Sequence, residues 1–259
     1  CKNYGMHIFE SDSGYLACGD VGKGRLPEPD EIEDKIKEVF EEDKFLEGKH
    51  ILVTAGPTSE AIDPVRMITN HSTGKMGYAL ARAARNMGAH VTLVSGTRQI
   101  EDIRDVEMVH VTSAKDMAEA VLSRQNDMDC MILAAAVADY TPVSVADNKI
   151  HKSEGEMSIP LKRTQDILKT LGENKKDGQV LIGFSMETEN MVERTKEKLV
   201  KKNCDYIVAN NLKEKGAGFG TDTNIVTLIS KDHEEEFGIL SKYDTAVKIL
   251  KTCLKEKKA

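Results

Sequence analysis

Strand and helix patterns alternate regularly between His50 and Ala209, which predicts an α/β fold, a three-layer domain on a mostly parallel sheet. Two further features shape that expectation. Ile51–Ala55 is an apolar, β-branched run that Gly56, Pro57 and Thr58 force out of strand conformation, so the first strand is interior and a loop leaves its carboxyl end. Asn224–Ser230 alternates with period two instead, and a second extended run at Glu235–Leu240 follows a polar turn, which adds a C-terminal antiparallel hairpin.

Taken along the chain, residues 1–30 are rich in Gly, Asp and Pro and read as an extended segment or flap. Within a linker placed at 31–48, Ile32, Ile36, Val39 and Phe40 fall at helical spacing in an acidic background, predicting an amphipathic helix over Glu31–Phe45. The main domain is placed at 49–259. It begins with a strand at His50–Ala55 and a helix at Gly74–Met87, which Gly88 closes as a left-handed residue. A strand at His90–Ser95, a helix at Ala114–Gln125 and an apolar strand at Asp129–Ala135 follow. Val180–Phe184 and Tyr206–Ala209 read as buried strands around a charged helix at Met191–Lys202. Tyr243–Leu254 sets Ala246, Val247, Leu250, Cys253 and Leu254 on one helical face, so this last helix packs on the sheet. Thr141–Lys162 has no clear period and reads as a lid or interface loop.

Composition narrows the function classes. With 40% hydrophobic and 31% charged residues, and no apolar run near the roughly 20 residues that span a bilayer, the chain reads as a globular cytoplasmic protein without a membrane segment. The five cysteines, Cys1, Cys18, Cys130, Cys204 and Cys253, are scattered and lack metal-site spacing, which fits a reducing compartment. A net charge of −7 argues against a general nucleic-acid binder, so an anionic ligand must find a local basic pocket. Arg66, Lys75, Lys149, Lys152, Lys201 and Lys202 are candidates, although most lysines on any surface are simply solvated.

The chemistry is expected to begin in the loop DPVRMITNHSTGKMG, Asp63–Gly77, which delivers Arg66, Thr69, Asn70, Ser72, Thr73, Gly74 and Lys75 to the carboxyl edge of the sheet. Ser72, Thr73 and Gly74 would open the next helix with capping oxygens and free backbone N–H groups, a good phosphate site. An ordinary helix cap explains the same residues equally well. The spacing matches neither a P-loop nor GxGxxG.

That string, followed in order by AAAVADY at Ala134–Tyr140, KIHK at Lys149–Lys152, GFSMET at Gly183–Thr188 and ANN at Ala209–Asn211, resembles phosphopantothenoylcysteine synthetase, the ligase half of the bifunctional coenzyme A biosynthesis proteins. SGYLACGDVGKGRLPEP at Ser13–Pro29 resembles the C-terminal flap of the companion decarboxylase. The resemblance implies a Rossmann-like domain that joins 4′-phosphopantothenate to L-cysteine with CTP and Mg²⁺ through an acyl cytidylate. CTP is inferred from the bifunctional architecture and from no base-reading residue. A homodimer is implied, as is a larger assembly where the decarboxylase is fused.

By the same resemblance, Asn70 handles the acyl intermediate and Lys149 contacts nucleotide phosphate and assists catalysis. Arg66 could hold a phosphate or carboxylate as a fork, or make a structural ion pair in its loop. Gly56, Ser72, Thr73, Gly74 and Lys75 would line the binding loop, with Thr73 standing where serine is common. Small side chains at Ala135 and Ala136 allow a ligand close to the backbone, or simply tight helix packing. Asp139 could bind nucleotide or metal, or cap a helix. Lys149, Lys152, Lys201 and Lys202 would meet the triphosphate, with His151 replacing a usual lysine. Phe184 would lie near the base, or in the core. Cys18 resembles the flap cysteine that protonates the decarboxylation product; that step needs an FMN domain absent from these residues, so decarboxylation by this stretch alone is not expected.

Two other classes make distinct predictions. A nicotinamide-dependent reductase would show GxGxxG after the first strand and an acidic residue ending the second, and neither is visible, since the second strand ends at Ser95 and Gly96. The glycines Gly216, Gly218 and Gly220 precede a strand and are no dinucleotide fingerprint. A scaffold domain would have no nucleotide affinity.

Overall fold

Leu52, Val53, Met131, Ile132, Leu181 and Ile182 are fully buried, as strands covered on both faces must be. The computed structural model describes residues 44–152, 156–187, 191–211 and 222–254 throughout, and residues 8–9, 11–15, 18–29, 32 and 36 of the amino-terminal segment. Within that segment β1 (Asp12–Tyr15) and β2 (Val21–Arg25) pair as an antiparallel hairpin, with Cys18 exposed near its turn. The helix expected over Glu31–Phe45 falls mostly outside the described residues.

The domain that follows contains β3 (His50–Ala55), β4 (Ser59–Ala61), β5 (Met67–Thr69), α1 (Lys75–Asn86), β6 (His90–Ser95) and β7 (Glu107–His110). Next come α2 (Ala114–Leu122), β8 (Cys130–Leu133), β9 (Tyr140–Pro142), β10 (Leu161–Arg163), α3 (Ile167–Asn174) and β11 (Val180–Glu187). The last elements are α4 (Met191–Lys201), β12 (Tyr206–Asn211), β13 (Thr223–Ser230), β14 (Glu234–Ser241) and α5 (Lys242–Leu254). Eight strands form the main sheet in the order β14-β13-β12-β11-β8-β3-β6-β7. From β12 to β7 every neighbouring pair is parallel, while β13 and β14 run antiparallel. The expected α/β sheet and hairpin are both present.

Two apolar layers sandwich the sheet. Tyr78, Leu80 and Ala84 of α1 pack with Ala246, Ile249 and Leu250 of α5 on one face. Met117 and Val121 of α2, Ile167 and Leu171 of α3, and Leu199 of α4 fill the other. Each fully buried Leu or Ile side chain contributes roughly 1.5–3 kcal/mol relative to exposure. Helix α1 sits unusually close to β3: a Cβ on Gly77 would fall 2.5 Å from Ala55 Cβ and 2.7 Å from the Thr54 carbonyl oxygen, so only glycine permits this approach. Gly88, at φ +92, turns the chain out of α1 as its sequence position predicts.

Sequence periodicity overlooks four features, the first being the four-residue edge strand β7. The short pair β4–β5 lies in the loop after β3, and β9–β10 closes the base of the segment expected to be irregular over Thr141–Lys162. Three-residue strands are too short to show a period. Helix α3 is only eight residues long and carries Asp166 as its N-cap, the carboxylate accepting from the Lys169 N–H at 3.0 Å.

Candidate active site

The parallel strands progress from β3 outward in both directions, to β6 and β7 on one side and to β8, β11 and β12 on the other. The boundary between β3 and β8 is therefore a topological switch point, where loops at the carboxyl ends diverge and leave a crevice. Hydrogen bonds stitch its two lips together. Ala135 N–H donates to Thr54 Oγ1 at 3.0 Å, Ala136 N–H to the Gly56 carbonyl at 2.9 Å and Ala138 N–H to Thr58 Oγ1 at 2.9 Å. Asn70 joins the same lip: its Nδ2 donates to the Ala136 carbonyl at 2.7 Å while its Oδ1 accepts from Ser72 N–H at 3.1 Å. One amide thus links the loop before α1 to the end of β8, leaving a second Nδ2 hydrogen for a ligand.

The opening of α1 differs in detail from the expectation. Its N-cap is Gly74, in the left-handed region at φ +82, and no side-chain oxygen caps the helix. Ser72 and Thr73 therefore precede the N-cap position rather than occupying it. Crowding enforces this turn, because a Cβ on Gly74 would lie 2.9 Å from Thr97 Cγ2 and 3.2 Å from Gly56 Cα. Gly56 is equally constrained, at φ +78 with Thr97 N 2.9 Å from where a Cβ would stand.

Two cavities open at this edge. The smaller, about 290 Å³, is bounded by the Ser72–Gly77 start of α1, the alanines Ala134–Ala136, and Asn210, Asn224 and Lys242. The larger, about 450 Å³, runs from Thr54 and Leu133 to Arg163–Leu168 and Lys202. Ala135, Val137, Asp139, Phe184 and Lys198 line both, so the cavities are two halves of one cleft with a common wall. Phe184 is half-buried: it packs against the core on one side and lines both cavities on the other. Lys198 projects from α4 with its Nζ 3.5 Å from the Phe184 carbonyl.

Charge at the larger cavity is organised around α3. Lys202 is ion-paired with the Asp166 carboxylate that caps α3. Burial raises the Asp166 pKa, but the bond from Lys202, the Lys169 N–H and the nearby Lys198 charge outweigh it and hold this carboxyl below its usual value. Lys198, Lys202 and Arg163 give the cavity three cations against Asp139 and Asp166. Asp139 stands alone as a carboxylate on the common wall, and the described residues contain no cluster of three or more metal-ligand side chains. Magnesium commonly takes one or two protein carboxylates and completes its shell with substrate phosphates and water, so a single Asp139 fits such an ion.

Other expected site residues have different roles in this geometry. Arg66 is not an open fork: its Nε and Nη2 bond Asp63 Oδ2 at 2.9 and 2.5 Å, and its Nη2 also donates to the Ile150 carbonyl at 2.6 Å. Asp63 is buried, which raises its pKa, yet Arg66 and the backbone N–H groups of Ile150, Val65 and Arg66 hold it well below the usual carboxylate range. This knot pins Ile150, the residue between Lys149 and the His151–Lys152 pair, to the main domain. Lys149 and Lys152 are themselves exposed and line neither cavity. Lys201, the last residue of α4, is likewise outside both, whereas Lys198 and Lys202, the residue that follows the helix, line the larger cavity. Lys75 lines the smaller cavity and bonds Asp222 at 2.7 Å. The glycines Gly216, Gly218 and Gly220 lie outside the described residues.

Sequence reasoning missed Lys198, Asn210, Asn224 and Lys242. Lys198 and Lys202 are four positions apart, a spacing that puts both on one helical face and could have paired them in the sequence.

Residues 46–256 match the family described as DNA/pantothenate metabolism flavoprotein C-terminal domain. The chain is 53% identical over 250 residues to the coenzyme A biosynthesis bifunctional protein CoaBC of Bacillus subtilis (strain 168), covering 95% of this chain and 61% of that protein. It is also 44% identical over 259 residues to a cysteine/cysteine sulfinic acid decarboxylase from an unknown prokaryotic organism, covering 98% of this chain and 72% of the relative. Among solved structures, the crystal structure of the C-terminal domain of coenzyme A biosynthesis bifunctional protein CoaBC superposes with a TM-score of 0.69 at 47% identity, covering 81% of this chain and 95% of that one. The chain thus spans less than two thirds of the Bacillus subtilis protein. With the family matched across almost the whole domain that builds the cleft, the chain belongs to the DNA/pantothenate metabolism flavoprotein C-terminal domain family.

Proposed function

We propose that this chain is a ligase that condenses 4′-phosphopantothenate with L-cysteine in coenzyme A biosynthesis, activating the acid with CTP. The observation that carries this reading is the divided cleft. A two-substrate activation needs a nucleotide and an acid to meet at one point, and the two cavities meet at Ala135, Asp139, Phe184 and Lys198. The nucleotide belongs in the larger half, with Lys198 and Lys202 beside its phosphates. The phosphorylated acid belongs in the smaller half, with its phosphate toward the uncapped N-terminus of α1.

In the first step a carboxylate oxygen of the acid bonds to the α-phosphorus of CTP, and the bond to the β-phosphate oxygen breaks to release pyrophosphate. Magnesium, with Asp139 as its protein carboxylate, would supply charge neutralisation on the phosphates. Lys198 offsets the charge that develops at the α-phosphoryl group, and the family resemblance, not the cavity lining, assigns Lys149 to the departing pyrophosphate. In the second step the cysteine amine attacks the acyl carbon, CMP departs and the amine loses a proton. Asn70, held by Ala136 and Ser72, offers its remaining Nδ2 hydrogen to the acyl oxygen as it gains charge. Phe184 separates the halves and limits water access to the mixed anhydride.

Isotope transfer tests the route. With ¹⁸O in the substrate carboxylate, the acyl cytidylate path places one label in CMP; unlabelled CMP refutes it. The relative named as a decarboxylase gives a second reading, release of carbon dioxide from a cysteine-derived compound, which a carbon dioxide assay without nucleotide would detect. A homodimer fits the exposed Val65, Met67, Val143, Val145 and Leu161 that surround the two small sheets β4–β5 and β9–β10; a monomeric mass in light scattering removes it. No described helix is long and apolar enough to cross a membrane. The unpaired buried thiols of Cys130, Cys204 and Cys253 fit a cytoplasmic setting.

A further inference from the structure

The amino edge of the sheet, opposite the cleft, carries a pair of imidazoles that no step of the reaction above uses. His50 opens β3 and His90 opens β6, and the two are direct partners in the parallel register of these strands. Register partners project from the same face of a sheet. The two rings stand 5.0 Å apart between centroids, with 25° between their planes. Both residues are exposed, and among the described residues no hydrogen bond engages either ring.

The backbone beneath the rings is held on both sides. Asp129 N–H donates to the His50 carbonyl at 2.8 Å, and the Asp129 carboxylate accepts from His50 N–H at 2.8 Å. His90 N–H in turn donates to the Lys49 carbonyl at 2.8 Å. The Lys49 ammonium lies 3.4 Å from Asp129 Oδ1, so the two charges nearest the pair offset one another. Two imidazoles that bind one ion as a cis pair, with nitrogens about 2.0–2.1 Å from the metal and a bond angle of about 90–109°, hold their ring centroids about 4.5–5.2 Å apart. The observed 5.0 Å falls within that interval, so the strands already set the spacing of a chelating pair. Only the ring orientations must change, by rotation about the soft χ2 torsions.

We propose that His50 and His90 form a two-histidine site for a divalent late transition-metal ion, of the Ni²⁺, Cu²⁺ or Zn²⁺ class, which clips β3 to β6. Imidazole nitrogen suits these ions, whereas magnesium and calcium favour oxygen ligands. The described residues contain no group of three or more metal-ligand side chains, so water completes the coordination shell. The two histidines are 40 positions apart in the chain, so the chelate exists in the folded sheet and not in the unfolded chain, and the ion stabilises the fold by mass action. Strands of six residues put the pair roughly 20 Å from the carboxyl edge where the cleft opens. The site is therefore independent of the ligase reading and of any magnesium held by Asp139.

The test is calorimetric titration of Ni²⁺ into tag-free protein, as wild type and as His50→Gln, His90→Gln and His233→Gln, with melting curves at rising Ni²⁺. The tightest event in the wild type should take up one equivalent. His50→Gln and His90→Gln should each weaken it by more than the roughly 10–100-fold that loss of an outer-shell partner costs a metal site. His233→Gln removes an exposed histidine beside Glu235 and should leave that event unchanged. The Tm should rise with Ni²⁺ in the wild type and in His233→Gln, and stay flat in both strand variants. All three variants should melt close to wild type without Ni²⁺, as expected of exposed side chains. Equal binding in all four proteins would mean adventitious ions only and overturn the proposal. A loss confined to one strand variant would reveal a single-histidine contact and overturn it equally, as would a wild-type Tm that does not respond to Ni²⁺.

Discussion

Replacing Gly74 with alanine isolates what the opening of α1 demands of its backbone. Two costs add. A non-glycine residue in the left-handed region costs about 1–2 kcal/mol, of which about 0.4–1 kcal/mol is recovered through the stiffer unfolded chain. The new methyl would also stand 2.9 Å from Thr97 Cγ2 and 3.2 Å from the Gly56 backbone, inside a close-packed corner, and overpacking of this kind costs about 1–3 kcal/mol. The sum is about 1–5 kcal/mol, which for a domain of this size lowers Tm by roughly 2–20 °C. Gly178→Ala is the internal control: its φ is +86, nearly the same, but nothing lies within 4 Å of the added Cβ. Without the crowding cost of about 1–3 kcal/mol it should lose at most about 1.6 kcal/mol, or roughly 6 °C. Paired urea melts with matched m-values measure the difference. Equal losses in the two variants would refute the claim that Thr97 and Gly56 crowd the helix opening.

Other outcomes follow from the site. Lys198→Ala should lower kcat by about 10²–10³-fold, whereas Lys201→Ala, one turn-step away and outside both cavities, should leave steady-state rates near wild type; similar losses would contradict the placement of α4. The ionised Asp63 has a folded pKa below its unfolded value of 3.8, so the unfolded chain binds more protons and the stabilisation is complete at neutral pH. It is lost as pH falls below 3.8 toward the folded value, so the Tm gap between wild type and Asp63→Asn should shrink on acidification; a gap constant down to pH 3 would contradict the knot. Burial pushes the Cys204 thiol up to about 12 and holds Cys130 and Cys253 well above their ordinary value, whereas Cys18 is exposed. A thiol reagent at pH 8 should therefore label Cys18 at once and those three only on unfolding; rapid labelling of all four would show the sheet to be open.

The large elements were legible because they are long enough to repeat. Five of the six parallel strands, and the helices α1, α2, α4 and α5, follow from apolar runs such as Ile51–Ala55 and Cys130–Leu133 and from the stripe on α5; β7, at the sheet edge, and α3 do not. What periodicity cannot report is which side chains meet across strands distant in sequence. Asn210 and Asn224 lie on adjacent antiparallel strands, and neither has a local pattern that marks it as facing a cavity. Arg66 illustrates the converse. Its residue type suited a ligand fork or an ion pair within its loop, and the structure shows the ion pair with Asp63; the tie to Ile150, 84 positions away, is the part no local pattern reports. The loop vocabulary around Asn70 and Gly74 was informative for a different reason, since small and polar residues at a strand's carboxyl end restrict the backbone more than the core does. Even there the cap proved to be glycine geometry rather than a hydroxyl.

Pyrophosphate release by the purified chain tests the central claim most directly, measured with 4′-phosphopantothenate and magnesium, with CTP or ATP, and with or without cysteine. The divided cleft predicts release that depends on the phosphorylated acid and becomes catalytic only when cysteine is present, and the family resemblance adds a preference for CTP. Preference for ATP would keep the ligase and replace the nucleotide. A folded protein that releases no pyrophosphate from either nucleotide would contradict the account.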